Sequence, residues 1–149
     1  MNNDRSNRPI VILLAEDSPT DVMLTREALA HAKVLNELHV VEDGVEAMQF
    51  LHREGSHAAA ARPDLILLDL NMPRKNGQEV LTEIKADSNL KSIPVVILST
   101  SSNEADLMNA YGNHANCYIR KPVDFEAFSD VVRSIESFWF TIVTLPKAQ

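Results

Sequence analysis

The chain has 149 residues, the size of one globular domain, and its 45% hydrophobic and 23% charged content excludes a disordered or fibrous protein. With 21 acidic against 14 basic residues the formal charge is −7, which argues against a surface built to neutralise nucleic-acid phosphates. A single cysteine, Cys117, excludes a disulfide framework and a cysteine-rich zinc site. The longest apolar runs are far too short to cross a bilayer, and residues 1–8 lack an apolar signal core. A cytoplasmic protein is therefore expected, with neither membrane nor nucleic acid among its partners.

Residues 1–8 read as a flexible arm, 9–140 as one folded domain and 141–149 as a tail. The run Ile10-Val11-Ile12-Leu13-Leu14 is continuous and aliphatic, as a strand covered on both faces requires. Ser18 then offers an N-cap and Pro19 a first helical position, predicting a helix to about Ala32 that buries Val22, Ala28 and Leu29. Residues 38–41 form a short second strand, ended by Asp43-Gly44. Val45, Met48 and Leu51 follow at helical spacing, and Gly55 is expected to close that helix. Residues 56–62 read as a loop, partly helical through its alanines. Leu65-Ile66-Leu67-Leu68 is a third strand that delivers Asp69 at its end, and residues 71–77 are punctuated as a loop before a helix carrying Val80, Leu81 and Ile84. Val95-Val96-Ile97-Leu98 is a fourth strand ending at Ser99-Thr100. Ser101 and Glu104 have capping-box spacing, so a helix running to about Gly112 is expected next. Cys117-Tyr118-Ile119 is a shorter fifth strand before Arg120-Lys121-Pro122, and a last helix from about Asp124 carries Phe128, Val132, Ile135 and Trp139. Strands alternating with helices imply a doubly wound, five-stranded parallel α/β sheet with helices on both faces.

Ligands of such a sheet bind beyond the C-terminal ends of its strands, so the residues at which each apolar run stops are the informative ones. They are Glu16 and Asp17, Asp69, Ser99 and Thr100, and Lys121. Carboxylates gathered at one rim repel, by about 4 kcal/mol for a pair at 4 Å and an effective dielectric of about 20. Such a group binds a divalent cation or holds a proton, and oxygen ligands select Mg²⁺ or Mn²⁺ over zinc. A carboxylate also serves as a nucleophile toward phosphorus. Asp69 as nucleophile, Mg²⁺ and Lys121 as charge stabilisers and Ser99 as hydroxyl donor make a complete set for phosphoryl transfer.

In these stretches the chain resembles the receiver domain of two-component response regulators. The resemblance spans about residues 10–139 and rests on Leu13-Leu14-Ala15-Glu16-Asp17, Leu67-Leu68-Asp69-Leu70-Asn71-Met72-Pro73, Asn76-Gly77, Pro94-Val95-Val96-Ile97-Leu98-Ser99-Thr100 and Tyr118-Ile119-Arg120-Lys121-Pro122. It implies the flavodoxin-like receiver fold with strand order 2-1-3-4-5, and not an enzyme but a phosphoacceptor switch with intrinsic self-phosphorylation and self-dephosphorylation chemistry. Asp69 would accept a phosphoryl group from a sensor histidine kinase. Glu16 and Asp17 would form the acidic metal pair, with Asp69 and the main-chain carbonyl of Asn71 completing the ligands. Lys121 would pair with the phosphoryl group, Ser99 would be the switch hydroxyl and Tyr118 the switch aromatic. Phosphorylation would then change the face built by helix four, strand five and helix five. Thr100 is bulkier than the small residue often found there, and is expected to slow loss of the phosphoryl group.

Phe138-Trp139-Phe140, the Thr144-Leu145-Pro146 ending and the extended segment 55–63 resemble cyanobacterial response regulators that serve phytochrome kinases, which implies a phytochrome-type partner. Phe138, Trp139 and Phe140 project in three directions from one helix, so with Ile142 and Val143 they exceed one buried face. The tail either folds back on its own domain or forms a homodimer contact. Glycine-rich nucleotide loops are absent, an aspartyl-phosphate phosphatase would need a second acid where Asn71 stands, and nothing after Trp139 resembles a DNA-binding or other output domain. A phosphate-independent binding module is the remaining alternative, and the downstream target is not specified by the sequence.

Overall fold

A computed structural model of the chain describes residues 9–31, 35–99, 117–120 and 126. Strand β1 (Ile10–Ala15) leads into helix α1 (Pro19–His31), followed by β2 (Asn36–Val41), α2 (Gly44–His52) and one 3-10 turn (Gly55–His57). Then come β3 (Leu65–Asp69), α3 (Gly77–Ala86), β4 (Val95–Ser99) and β5 (Cys117–Arg120). The sheet order is β2-β1-β3-β4-β5 and every pairing is parallel. The helix expected after β4 lies outside the described residues, and of the helix expected after β5 only Glu126 is described, helical and exposed.

Alternation along the strands divides the core into two layers. Leu13, Ile66, Leu68, Val95 and Ile97 pack with Val80, Leu81 and Ile84 of α3 and with Met48 and Leu51 of α2. On the other face Ile12, Leu14, Leu67, Val96 and Leu98 pack with Ala28 and Leu29 of α1. Because both faces are covered, β1, β3 and β4 are aliphatic up to the terminal Asp69 and Ser99, whereas the edge strand β2 is only partly buried. The polar letters Asn36 and Glu37 at its start explain why the strand begins two residues before the predicted one. Within α1, Val22 is half-buried and Thr25 takes the buried position instead.

Helix α2 does not run to Gly55. It stops at His52, where Arg53 adopts the left-handed conformation (φ 57°) and two hydrogen bonds close a Schellman motif. The Arg53 N–H donates to the Phe50 carbonyl at 3.2 Å, and the Glu54 N–H to Gln49 at 2.8 Å. Gly55, itself at positive φ, opens the 3-10 turn that replaces part of the predicted loop.

Register aligns the strand ends. Ala15 pairs with Leu68, Asp69 with Leu98, and Ser99 with Arg120. Each strand therefore gives up its last residue at the same edge of the sheet, and that edge holds the candidate site.

Candidate functional site

Glu16 and Asp17 leave β1 where the aliphatic run ends. The Glu16 N–H still donates to the Val41 carbonyl at 2.9 Å, so its backbone belongs to the sheet although its side chain has left it. Its carboxylate folds back to accept the Ser18 N–H at 3.3 Å, and the Ser18 hydroxyl accepts the Asp21 N–H at 3.3 Å as the cap of α1. Glu16 is buried, at 1% exposure, while Asp17 faces solvent.

Asp69 ends β3 and is also buried, at 2% exposure. Its Oδ1 accepts the Asn71 N–H at 3.2 Å, a local turn that draws the following loop over the carboxylate. The Leu70 N–H donates to Leu98 at 3.1 Å, carrying the β3–β4 ladder one step past Asp69. Gly77 is required beside it. A Cβ at residue 77 would stand 2.3 Å from the Asp69 carbonyl oxygen, so only glycine lets α3 start against this strand end. The Gly77 N–H donates to the Leu70 carbonyl at 3.0 Å and fixes that approach. Asn76 caps α3 with a full capping box to Glu79, a spacing legible in the sequence but not singled out there.

One carboxylate oxygen from each of Glu16, Asp17 and Asp69 lies within 4.8 Å of the others. Two like charges at that separation repel by about 3–4 kcal/mol at an effective dielectric of 20, and two of these three groups are buried. An all-oxygen donor set of this kind fits Mg²⁺ or Mn²⁺. An open cleft of about 490 Å³ adjoins it, lined by Asp17, Leu70, Asn71, Met72, Pro73, Asn76 and Gln78. Its Asn76 and Gln78 walls did not emerge from the sequence, because they belong to the helix that Gly77 seats against β3.

The structure thus brings together Glu16, Asp17 and Asp69, with Asn71 hydrogen-bonded to Asp69 and lining the adjoining cleft. Ser99 and Tyr118 are strand residues of β4 and β5. Lys121 follows Arg120 in sequence and, like Thr100, Phe138, Trp139, Phe140, Ile142 and Val143, lies outside the described residues.

A profile described as the response regulator receiver domain matches residues 12–133. The chain belongs to that family. Response regulator Rcp1 of Synechocystis sp. is 49% identical over 146 residues, which cover 98% of this chain and 99% of Rcp1. The solved structure of the phosphorylated cyanobacterial phytochrome response regulator RcpA is 51% identical with a TM-score of 0.79, covering 94% of this chain and all of RcpA. The Mn²⁺-bound form of Rcp1 gives 48% identity and a TM-score of 0.78, covering 93% of this chain and all of that one. As a receiver, the chain acts in two-component signalling, and its flavodoxin-like fold is the one expected from the strand-end motifs. Among the described residues no helix is long and apolar enough to cross a membrane.

Proposed function

We propose that this receiver is a phosphoacceptor switch working in the cytoplasm within residues 9–140, with Asp69 as the acceptor. The observation that carries the reading is the convergence of Glu16, Asp17 and Asp69, since three carboxylates from two strands have no packing reason to meet at one sheet edge. An Asp69 carboxylate oxygen attacks the phosphorus of a phosphohistidine. The O–P bond forms as the N–P bond breaks, and the imidazole leaves with the electron pair. Water later cleaves the acyl phosphate to carboxylate and inorganic phosphate. Glu16, Asp17, Asp69 and the Asn71 carbonyl would hold Mg²⁺ or Mn²⁺, which when bound offsets the charge of the carboxylates and of the phosphoryl oxygens.

The remaining roles follow the sequence motifs. Lys121 stabilises phosphoryl charge, the Ser99 hydroxyl grips a phosphoryl oxygen, Thr100 limits the approach of water, and Tyr118 changes rotamer as Ser99 is drawn in. The phosphoryl group must favour one of two existing states by a few kcal/mol for the surface around β5 to switch. Similarity to RcpA and Rcp1 supports a phytochrome-type histidine kinase as donor.

Mass spectrometry after treatment with acetyl phosphate and Mg²⁺ tests the acceptor. The native chain should gain one phosphate and Asp69→Ala none; persistent labelling of the variant would move the acceptor elsewhere. Followed over time, the same spectra should show an adduct lasting minutes, and loss within seconds would remove the role given to Thr100. We also propose a homodimer through Phe138, Trp139, Phe140, Ile142 and Val143. Deleting residues 140–149 should then halve the mass in solution, and an unchanged mass would exclude that contact.

A further inference from the structure

The loop between β3 and α3 carries Asn71, and its shape is not one the chain adopts unaided. Arg74 sits at φ 67°, the left-handed region that a long side chain disfavours. The Lys75 N–H donates to the Pro73 carbonyl at 2.7 Å, closing a three-residue turn with Arg74 at its centre; with positive φ there, this is the rarer and strained kind. Something outside the loop must hold it.

Besides the ion pair that Lys75 makes with Glu83 of α3, two contacts come from the start of α2. The Arg74 guanidinium forks onto Asp43, with Nε donating to Oδ2 at 3.0 Å and Nη2 to Oδ1 at 3.1 Å. Asp43 is itself fixed as the N-cap of α2, accepting the Glu46 N–H at 2.8 Å, and its side chain is only 15% exposed. The loop backbone also rests on the next residue. A Cβ at Gly44 would stand 2.0 Å from the Lys75 carbonyl oxygen, so α2 and the loop touch main chain to main chain. Arg74 is 59% exposed and makes no buried packing that would explain the strained turn.

We infer that Arg74 is a positioning residue for metal binding: its fork on the α2 cap holds the strained loop that carries Asn71, whose N–H is hydrogen-bonded to Asp69 and whose carbonyl would be the metal ligand. This rests on the reading of those residues and the Asn71 carbonyl as the metal site. Arg74 is bound to Asp43, outside the cluster, so it acts on the site through the backbone between residues 71 and 74.

Calorimetric titration of the full chain with Mn²⁺ tests the clamp, alongside urea midpoints. Arg74→Ala keeps the backbone penalty and removes the fork, so affinity should fall about tenfold, the scale of lost outer-shell support, while the midpoint moves little. Asp43→Asn keeps an oxygen for the Glu46 N–H, so α2 stays capped while the charge facing Arg74 is lost; it should weaken Mn²⁺ by a similar factor. Arg74→Lys restores a single point contact and should fall between. Combining Arg74→Ala with Asp43→Asn should cost no more than either alone, because both break one contact. Wild-type binding abolished by Asp17→Asn but unchanged within about twofold by Arg74→Ala would overturn the clamp and leave the metal site standing. Failure of the wild-type chain to bind Mn²⁺ at all would overturn both.

Discussion

Asp43 places one carboxylate under opposing influences. Its partial burial pushes the carboxyl upward, but the Glu46 N–H, the Arg74 guanidinium and the Val45 N–H together outweigh that, and it ends below its ordinary value of 3.8. A lowered carboxyl contributes stability that is fully present above the unfolded value and is lost as the pH falls through the folded one. Wild type should therefore be more stable than Asp43→Asn at neutral pH, with the gap constant down to about pH 4 and closing below it. Urea midpoints of both chains across that range check the sign, and a gap that persists in acid would mean that shape and not charge separates them. No local pattern announces this residue. In the sequence Asp43 marks only the end of a strand and Arg74 is one letter of a punctuated loop, because a contact across 31 positions leaves no trace in spacing. Glu16, Asp17 and Asp69 were legible for the opposite reason: Glu16 and Asp17 are the first two charged groups after one aliphatic run, and Asp69 is the first after another. Thr25 was also hidden, a hydroxyl with no hydrogen-bond partner among the described residues, in the core layer beneath α1 where helical periodicity calls for an apolar residue.

Among the elements, legibility follows burial. β1, β3 and β4 are covered on both faces, so continuous aliphatic letters mark them to within a residue, and their order follows from strict alternation with helices. The edge strand β2 mixes Asn36, Glu37 and His39 with its apolar residues, and its start blurs accordingly. Helix starts were readable where a side chain caps them, as at Ser18, and a helix end was misread where a non-glycine residue took the left-handed position. At the end of α2 the Schellman hydrogen bonds tolerate Arg53, and the glycine two residues on serves the next turn instead. The same economy shapes the loop after β3. Gly44 and Gly77 are there because main chain approaches main chain, on one side from Lys75 and on the other from Asp69. Between these two contacts the loop has little freedom, which is why the site is built from a loop without being loosely built.

For the molecule as a whole, the acid cluster links metal binding to stability. The chain already carries a formal charge of −7, and folding brings three of its carboxylates within 4.8 Å of one another, so the metal-free fold bears a repulsion the unfolded chain avoids. A cation that binds only the folded chain stabilises it by mass action, by about 2.7 kcal/mol when present at about a hundredfold its dissociation constant. For a domain of this size each kcal/mol moves the melting temperature by about 2–4 °C, so Mg²⁺ should raise it by about 5–10 °C. Asp17→Asn removes one of the repelling charges and one ligand at once. Its metal-free form should melt above the metal-free wild type, and Mg²⁺ should move it far less. Melting curves at matched ionic strength, with NaCl in place of MgCl₂, separate this from general screening of the net charge. Equal shifts in both chains would place the cation's effect away from Asp17, and a metal-free variant less stable than wild type would mean that the Asp17 carboxylate is held by favourable contacts stronger than its repulsion from Glu16 and Asp69.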